Sequence, residues 1–162
     1  MRKANYDLEG PLVYKKRYKD FFSKHERGRI GNDQLWDGML ITQCMKEIFG
    51  NQGLYISEYR DYIEDFECPK NKACTKFYMQ QVFWDHVVFT PSGRVILIES
   101  DDPSHFNEEY CKLHDWDFEN IKLRDKIKNN WAKKLGYDLL RLPHYLSDQQ
   151  KKELIINIFK ND

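Results

Sequence analysis

Three carboxylates and one imidazole lie within a short stretch of the chain and could together hold a divalent cation. Asp85 lies in one apolar segment, Glu99 and Asp101 end the next, and His105 follows four residues after Asp101. Like charges held close together are unfavourable unless something offsets them. Mg²⁺ prefers oxygen ligands, commonly one or two carboxylates together with phosphate oxygens of a substrate. These residue types predict metal-assisted phosphodiester chemistry, with surface ion pairs to Lys or Arg as the alternative.

The residues between Asp85 and Glu99 predict a β-hairpin that brings both acids to one sheet face. Segments 82–89 and 95–98 are rich in β-branched and aromatic residues, which is typical of strands. The Pro-Ser-Gly sequence at 91–93 fits a three-residue loop whose glycine takes the left-handed conformation. Counting back from that loop puts Asp85 opposite Glu99, with Cβ atoms ~4.5–5.5 Å apart.

Asp101 extends the same pattern, because it lies two residues beyond Glu99 and side chains alternate along a strand. The expected ligand set for Mg²⁺ or Mn²⁺ is therefore Asp85, Glu99 and Asp101. Scattered carboxylates, or a lysine between them, would argue against this geometry.

The remaining elements predict an α/β fold. Three segments carry apolar residues at helical spacing: 33–49, a helix after Ser57 (Tyr59, Tyr62, Ile63, Phe66), and 118–135 (Leu123, Ile127, Trp131, Leu135). Gly136 is the expected C-cap of the third helix, and a short strand over 137–142 follows it. Ser147 and Gln150 have the spacing of a capping box that opens a last helix. The order strand, strand, helix, strand, helix after residue 80 suits a mixed sheet flanked by helices.

Length and charge suit a single small domain. The chain has 162 residues and equal numbers of acidic and basic side chains, which argues against an obligate nucleic-acid coat protein but not against a nuclease. Residues 1–31 form the most basic stretch, either a DNA-contacting arm or a solvated helix. We expect a cytoplasmic protein without membrane contact, since no apolar run reaches membrane-spanning length and no signal peptide is evident.

The cysteines are expected to be reduced thiols in an intracellular protein. A structural Zn²⁺ site is the alternative, because four potential ligands occur in two pairs. They are Cys68 and Cys74, and Cys111 and His114.

The sequence VILIESDDPSHF at 95–106 resembles a motif of PD-(D/E)xK nucleases. The similarity is to the branch of very-short-patch repair endonucleases and phage or intron-associated homing endonucleases. Asp85, Glu99, Asp101 and His105 stand at that motif's positions. The helix RDKIKNNWAKKLG from residue 124 and the strand LLRLP ending at residue 143 resemble the elements that follow it. The resemblance covers about residues 82–143.

The resemblance implies a restriction-endonuclease-like fold and a metal-dependent endonuclease acting on DNA. It implies catalytic roles for Asp85, Glu99, Asp101, His105 and Lys128. DNA phosphates would be contacted by Arg124, Lys126, Lys128 and Arg141. Asp125 is a further candidate, although Asp125 and Lys128 could equally form a surface ion pair. Some relatives also use an acid from an early helix, for which Asp37 and Glu47 are candidates, with Asp37 favoured.

One departure from the motif concerns the residue after the second acid. The family often has glycine there, whereas this chain has Asp102 followed by Pro103. A proline restricts a tight turn at that point. A catalytically degenerate DNA- or protein-binding module with the same fold is therefore the alternative function.

Overall fold

The centre of the molecule is a five-stranded mixed sheet. The computed structural model describes residues 29–30, 33–34, 36–62 and 81–162. The strands are β1 (Arg29–Ile30), β2 (Leu54–Tyr62), β3 (Gln81–Phe89), β4 (Val95–Asp101) and β5 (Asp138–Pro143). They lie in the order β1-β2-β3-β4-β5. Neighbours from β1 to β4 are antiparallel, and β5 is parallel to β4. The predicted α/β architecture with a mixed sheet is confirmed.

Helices cover both faces of this sheet. They are α1 (Gly38–Phe49), α2 (Glu108–Leu113), α3 (Phe118–Leu135) and α4 (Asp148–Phe159), and a 3-10 turn (Pro103–His105) follows β4. On one face Ile127 of α3 packs with Leu97 of β4. On the other, α1 and α4 pack through Ile41 and Ile155 against Ile98. Side chains of alternating parity along β4 therefore face different helices.

Local signals fixed the ends of two helices as predicted. Gly136 ends α3 in the left-handed conformation, with φ 70°. Ser147 Oγ accepts a hydrogen bond from the Gln150 N–H, and the Gln150 side-chain oxygen accepts one from the Ser147 N–H. The predicted apolar stripe on α3 is confirmed at Ile127 and at the half-buried Leu123 and Trp131, which pack against the same core. Leu135 is exposed, and Ala132 is buried instead.

The β3–β4 hairpin has the predicted turn. The Thr90 N–H donates to the Arg94 carbonyl over 3.0 Å, and Gly93 takes φ 89°. The ladder pairs His86 with Ile98, so the next residues along each strand are Asp85 and Glu99. The predicted register is confirmed.

The helix predicted after Ser57 is wrong for the residues that the structure describes. Residues 54–62 form β2, which pairs with β3 from Leu54–Phe89 to Tyr62–Gln81. Leu54 packs on the α3 face, and Tyr55 on the α1 face. The helical spacing of Tyr59 and Tyr62 was overridden by pairing with a neighbouring strand, since β propensity depends on such tertiary contacts. Residues 63–66 lie outside the described residues.

Other sequence predictions lie wholly or partly outside the described residues. Of the basic segment 1–31, the structure describes only Arg29–Ile30, which pairs with Ser57 and Ile56. Cys68 and Cys74 also lie outside, whereas Cys44 and Cys111 are buried free thiols. No helix in the described ranges is long and apolar enough to cross a membrane.

Candidate active site

Polar side chains at the carboxyl end of β4 lie on both faces of the sheet, with the predicted acids on one face and a serine on the other. Glu99 and Asp101 are buried, and both lie on the face that α3 covers. Ser100, between them, makes its side-chain contact with Asp37 at the start of α1. Because β5 runs parallel to β4, its residue Arg141 lies beside Glu99. The carboxyl end of β4 therefore makes polar contacts on both faces of the sheet.

Asp85 and Glu99 meet as predicted, and each binds the backbone of the other strand. Glu99 Oε1 accepts the Asp85 N–H over 3.2 Å. Asp85 Oδ2 accepts the Ser100 N–H over 2.9 Å. Burial raises the pKa of Asp85, against the opposing charge of Lys128. These two carboxylates therefore hold the end of the hairpin together as well as carrying charge.

Lys128 lies against the acid pair. Its Nζ donates to Glu99 Oε2 and sits 5.4 Å from the centroid of the Trp84 ring. Burial raises the pKa of Glu99 to about 7, although the lysine charge works to lower it. A lysine between the carboxylates would argue against the expected metal site, and Lys128 makes such a contact with Glu99. In this form both Glu99 oxygens are engaged.

Asp101 belongs to a second ion-pair group. Arg141 Nη1 donates to Asp101 Oδ1 over 2.7 Å, and Arg141 Nη2 lies 3.3 Å from Asp125 Oδ1. Asn129 Oδ1 accepts from Arg141 Nε over 3.2 Å. Burial would lower the pKa of Arg141, but the two carboxylates outweigh it and raise that pKa further. Arg141 is therefore fixed as a cation between Asp101 and Asp125.

His105 joins this group through one ring nitrogen. Its Nδ1 lies 2.8 Å from Asp125 Oδ2 and 3.6 Å from Asp101 Oδ1. Burial opposes the charged ring, but the hydrogen bond to Asp125 and the nearby negative charges outweigh it, so the pKa of His105 is raised. The pKa of Asp125 is lowered, because His105 and Arg141 outweigh the effect of its burial. His105 and Asp125 thus form a charge-assisted pair.

Asp101, His105 and Asp125 form the group in the described part of the chain that could hold a metal ion. Their ligand atoms all lie within 4.8 Å of one another. The expected set of Asp85, Glu99 and Asp101 forms no such group there. Asp101 is therefore the one expected ligand that belongs to this group, and His105 and Asp125 are its other members. A donor set of two carboxylates and one imidazole suits Mn²⁺ at least as well as Mg²⁺.

The charges of the site are not balanced by its own side chains. Counted as fully ionised, four carboxylates (Asp85, Glu99, Asp101, Asp125) exceed the cations Lys128 and Arg141 by two, and the raised pKa values of Asp85 and Glu99 reduce that excess. A protonated His105 offsets one of the two remaining negative charges. A divalent cation beside a neutral His105 offsets both. A cation would offset this excess, and the ligand atoms of Asp101, His105 and Asp125 are close enough together to hold one.

The opposite face of β4 carries a hydrogen-bonded chain that the sequence reasoning missed. Ser100 Oγ donates to Asp37 Oδ2 over 2.8 Å, so it accepts from His86 Nε2, which lies 2.9 Å away. Tyr55 Oη, 2.7 Å from His86 Nδ1, is then the donor to that nitrogen. Lys151 of α4 donates to Asp37 Oδ1 over 2.8 Å. The sequence signal that could have indicated this chain is His86, a histidine among the apolar residues of β3.

His86 should make the stability of the protein depend on acid pH. Burial lowers the pKa of His86 to about 4, below its usual value near 6.5. The folded state favours the neutral ring. The contribution of His86 to the free energy of unfolding is therefore full above pH 6.5 and is lost as the pH falls through about 4. This loss amounts to about 3 kcal/mol. Denaturant unfolding between pH 4 and pH 8 should show a shallower acid decline for His86→Gln than for the unmodified protein. Equal slopes would contradict this assignment, since the acidic groups are common to both.

The other predicted residues are distributed around this centre. Arg124 and Lys126 are exposed on α3. Glu47 forms an exposed pair with Lys152 at 3.3 Å. Cys111 donates from Sγ to the Ser104 carbonyl over 3.2 Å. Of the predicted set, Asp85, Glu99, Asp101, His105, Asp125, Lys128 and Arg141 are brought together, and Asp37 joins the strand end from the opposite face.

Comparison with known proteins gives no identification. No model of a protein family matches the chain. No curated protein and no solved structure matches it either.

Proposed function

We propose that this chain is a divalent-metal-dependent phosphodiesterase that hydrolyses DNA. The observation that carries the proposal is the cluster at the end of β4, where the ligand atoms of Asp101, His105 and Asp125 lie within 4.8 Å of one another beside Lys128 and Arg141. Such a site combines places for a metal ion with positive side chains suited to phosphate. The resemblance of residues 82–143 to PD-(D/E)xK nucleases points to the same chemistry.

Asp101, His105 and Asp125 would hold the cation, with Mn²⁺ or Mg²⁺ as the ion. When bound, such an ion polarises a phosphodiester and stabilises charge on the leaving oxygen. Asp101 also contacts Arg141, which keeps its carboxylate fixed beside His105. Asp85 and Glu99 would position neighbouring groups. Asp85 accepts a hydrogen bond from the Ser100 N–H, and Glu99 accepts one from Lys128.

Lys128 and Arg141 would meet the phosphate that is cut. Lys128 has little exposed surface and packs over Trp84, which restricts where its charge can lie. Arg141 carries a planar guanidinium suited to bidentate phosphate contacts. Arg124 and Lys126, exposed along the same helix as Lys128, would contact neighbouring phosphates and orient the DNA without reading its sequence.

The direct test is cleavage of supercoiled plasmid DNA by the purified chain. We expect nicking with Mn²⁺ or Mg²⁺, no nicking in EDTA, and recovery when the metal is restored. Catalytically inert Ca²⁺ should permit DNA binding without nicking. Cleavage that persists in EDTA would contradict a metal-dependent mechanism.

The ligand set can be tested without any activity assay. Mn²⁺ bound to an imidazole shows nitrogen coupling in pulsed electron paramagnetic resonance spectra. We expect that coupling in the unmodified protein and its loss in His105→Asn. Bound Mn²⁺ without nitrogen coupling would instead favour the all-carboxylate set of Asp85, Glu99 and Asp101.

A non-cutting DNA-binding module is the second candidate function. It is favoured by the pairing of Glu99 with Lys128 and of Asp101 with Arg141, because both acids are satisfied without metal. Such a module would bind DNA equally well in EDTA and in Mn²⁺. Its affinity would fall with salt, with a logarithmic slope of about 0.9 for each phosphate contact.

A further inference from the structure

Three aromatic rings form a cluster beside the candidate site. Phe106 lies 5.9 Å from His144 and 5.5 Å from Tyr145, measured between ring centroids. His144 and Tyr145 are also 5.5 Å apart, with their planes at 80°. We call these three residues the aromatic platform. Ring pairs at such distances and tilts attract one another, so they hold a defined arrangement at the surface.

The platform is exposed although its residues are large and ring-bearing. Tyr145 is 65% exposed and Phe106 is 44% exposed, and His144 is exposed as well. Burying these rings against a ligand would therefore remove considerable apolar surface from water. Exposure of a contiguous aromatic group is typical of a binding surface.

Two connections tie the platform to the acids. Phe106 directly follows His105 in the chain, and the His144 N–H donates to the Asp101 carbonyl over 2.8 Å. Both connections run through residues that would hold the cation. The rings of His105 and Phe106 are also 6.4 Å apart between centroids, so a ligand group stacked on the platform would lie close to whatever is bound at Asp101 and His105.

A positive charge accompanies these rings. Lys122 Nζ donates to the His105 carbonyl and lies 5.5 Å from the centroid of the Phe106 ring. A flat aromatic surface with an adjacent cation is complementary to a nucleobase and its phosphate. A partner protein would bury apolar side chains here without needing that charge.

We propose that the aromatic platform binds an unpaired nucleobase of DNA next to the phosphate held at the acidic site. This inference rests on the proposed function and names its substrate class. Bases inside an intact duplex have both faces covered by neighbouring pairs, so stacking on a side chain costs least for an unpaired base. The substrate is accordingly DNA with a single-stranded segment at the cleavage position.

The experiment compares Tyr145→Leu and Tyr145→Phe in binding a short single-stranded DNA oligonucleotide. Binding is followed in Ca²⁺ by fluorescence anisotropy of a labelled strand. Tyr145→Leu should weaken binding about 5- to 100-fold, because one stacked base is lost. Tyr145→Phe keeps the ring and should bind as the unmodified protein does. A 2-aminopurine base in the oligonucleotide should be quenched on binding, and less so with Tyr145→Leu.

The matched control is Trp116→Leu, which removes an exposed ring from a second cluster formed with Tyr110 and His114. It should leave the affinity unchanged. Equal affinity of Tyr145→Leu and the unmodified protein, or no quenching of 2-aminopurine, would overturn the platform proposal. Plasmid nicking tests the proposed function separately: metal-dependent nicking with unchanged binding by Tyr145→Leu would refute the platform alone. Stacking without metal-dependent cleavage of either the plasmid or a duplex with a single-stranded segment would refute the phosphodiesterase alone.

Discussion

Replacing Asp101 by asparagine is expected to reduce metal-dependent DNA cleavage by at least about 100-fold, since loss of a residue behind a metal ligand already costs 10- to 100-fold. Asp101 is the residue shared by the expected ligand set and by the group that the structure assembles. The amide keeps the size of the side chain but removes the charge that a cation and Arg141 both need. Initial rates of plasmid nicking in Mn²⁺ measure the change, and titration calorimetry should show weaker Mn²⁺ binding.

A matched control for Asp101→Asn lies at the other end of the same two strands. Asp138 begins β5 and pairs with Arg94 at 2.7 Å, the same separation as between Asp101 and Arg141. Asp138→Asn removes an Asp–Arg pair but leaves the acidic cluster intact, so the nicking rate should not change. Comparable rates for Asp101→Asn and Asp138→Asn would refute a metal role for Asp101, provided that thermal unfolding shows both variants to be folded.

The hairpin that aligns Asp85 with Glu99 could be predicted because its information is local. Gly93 permits the left-handed turn, and a fixed turn sets the register of every pair behind it. Caps at Gly136 and Ser147 are local in the same way. In contrast, Tyr59 and Tyr62 have a helical spacing but lie in β2, since the choice depends on β3, a strand distant in sequence.

The electrostatic partners at the site could not be derived from the hairpin alone. Lys128 reaches Glu99 from α3, and Arg141 reaches Asp101 from β5. The first contact requires knowing that α3 covers this face, and the second that β5 lies parallel beside β4. No turn or cap specifies either. For this reason the predicted ligand group contained Asp85 and Glu99, whereas the group in the structure contains His105 and Asp125. The fold class was thus more predictable than the pairing of charges within it.

Replacing Asp37 by alanine is expected to lower the free energy of unfolding by up to about 3–5 kcal/mol, the cost of leaving one member of a fully buried ion pair alone. The side chains of Asp37 and Lys151 are 13% and 11% exposed, and their charged atoms are 2.8 Å apart. The same change also removes the acceptor of the Ser100 hydroxyl. Guanidinium unfolding at pH 7 measures the loss.

Glu47→Ala is the control, because Glu47 and Lys152 link the same two helices at 3.3 Å with side chains 55% and 41% exposed. An exposed pair of this kind contributes at most about 1 kcal/mol. A loss below that value for Asp37→Ala would show that its ion pair is not desolvated.

Asp37→Ala combined with Lys151→Met separates stability from chemistry at this acid. Removing both charges leaves no buried lysine without a partner, so most of the lost stability should return. If the double variant is stable and nicks DNA, Asp37 serves the fold by holding Ser100 and Lys151. A stable double variant that has lost nicking, beside an active Glu47→Ala, would give Asp37 the chemical role expected of an early-helix acid. Because Asp37 contacts the Ser100 hydroxyl and Asp85 accepts the Ser100 N–H, one residue of β4 would then connect the network on the α1 face to the acids on the α3 face.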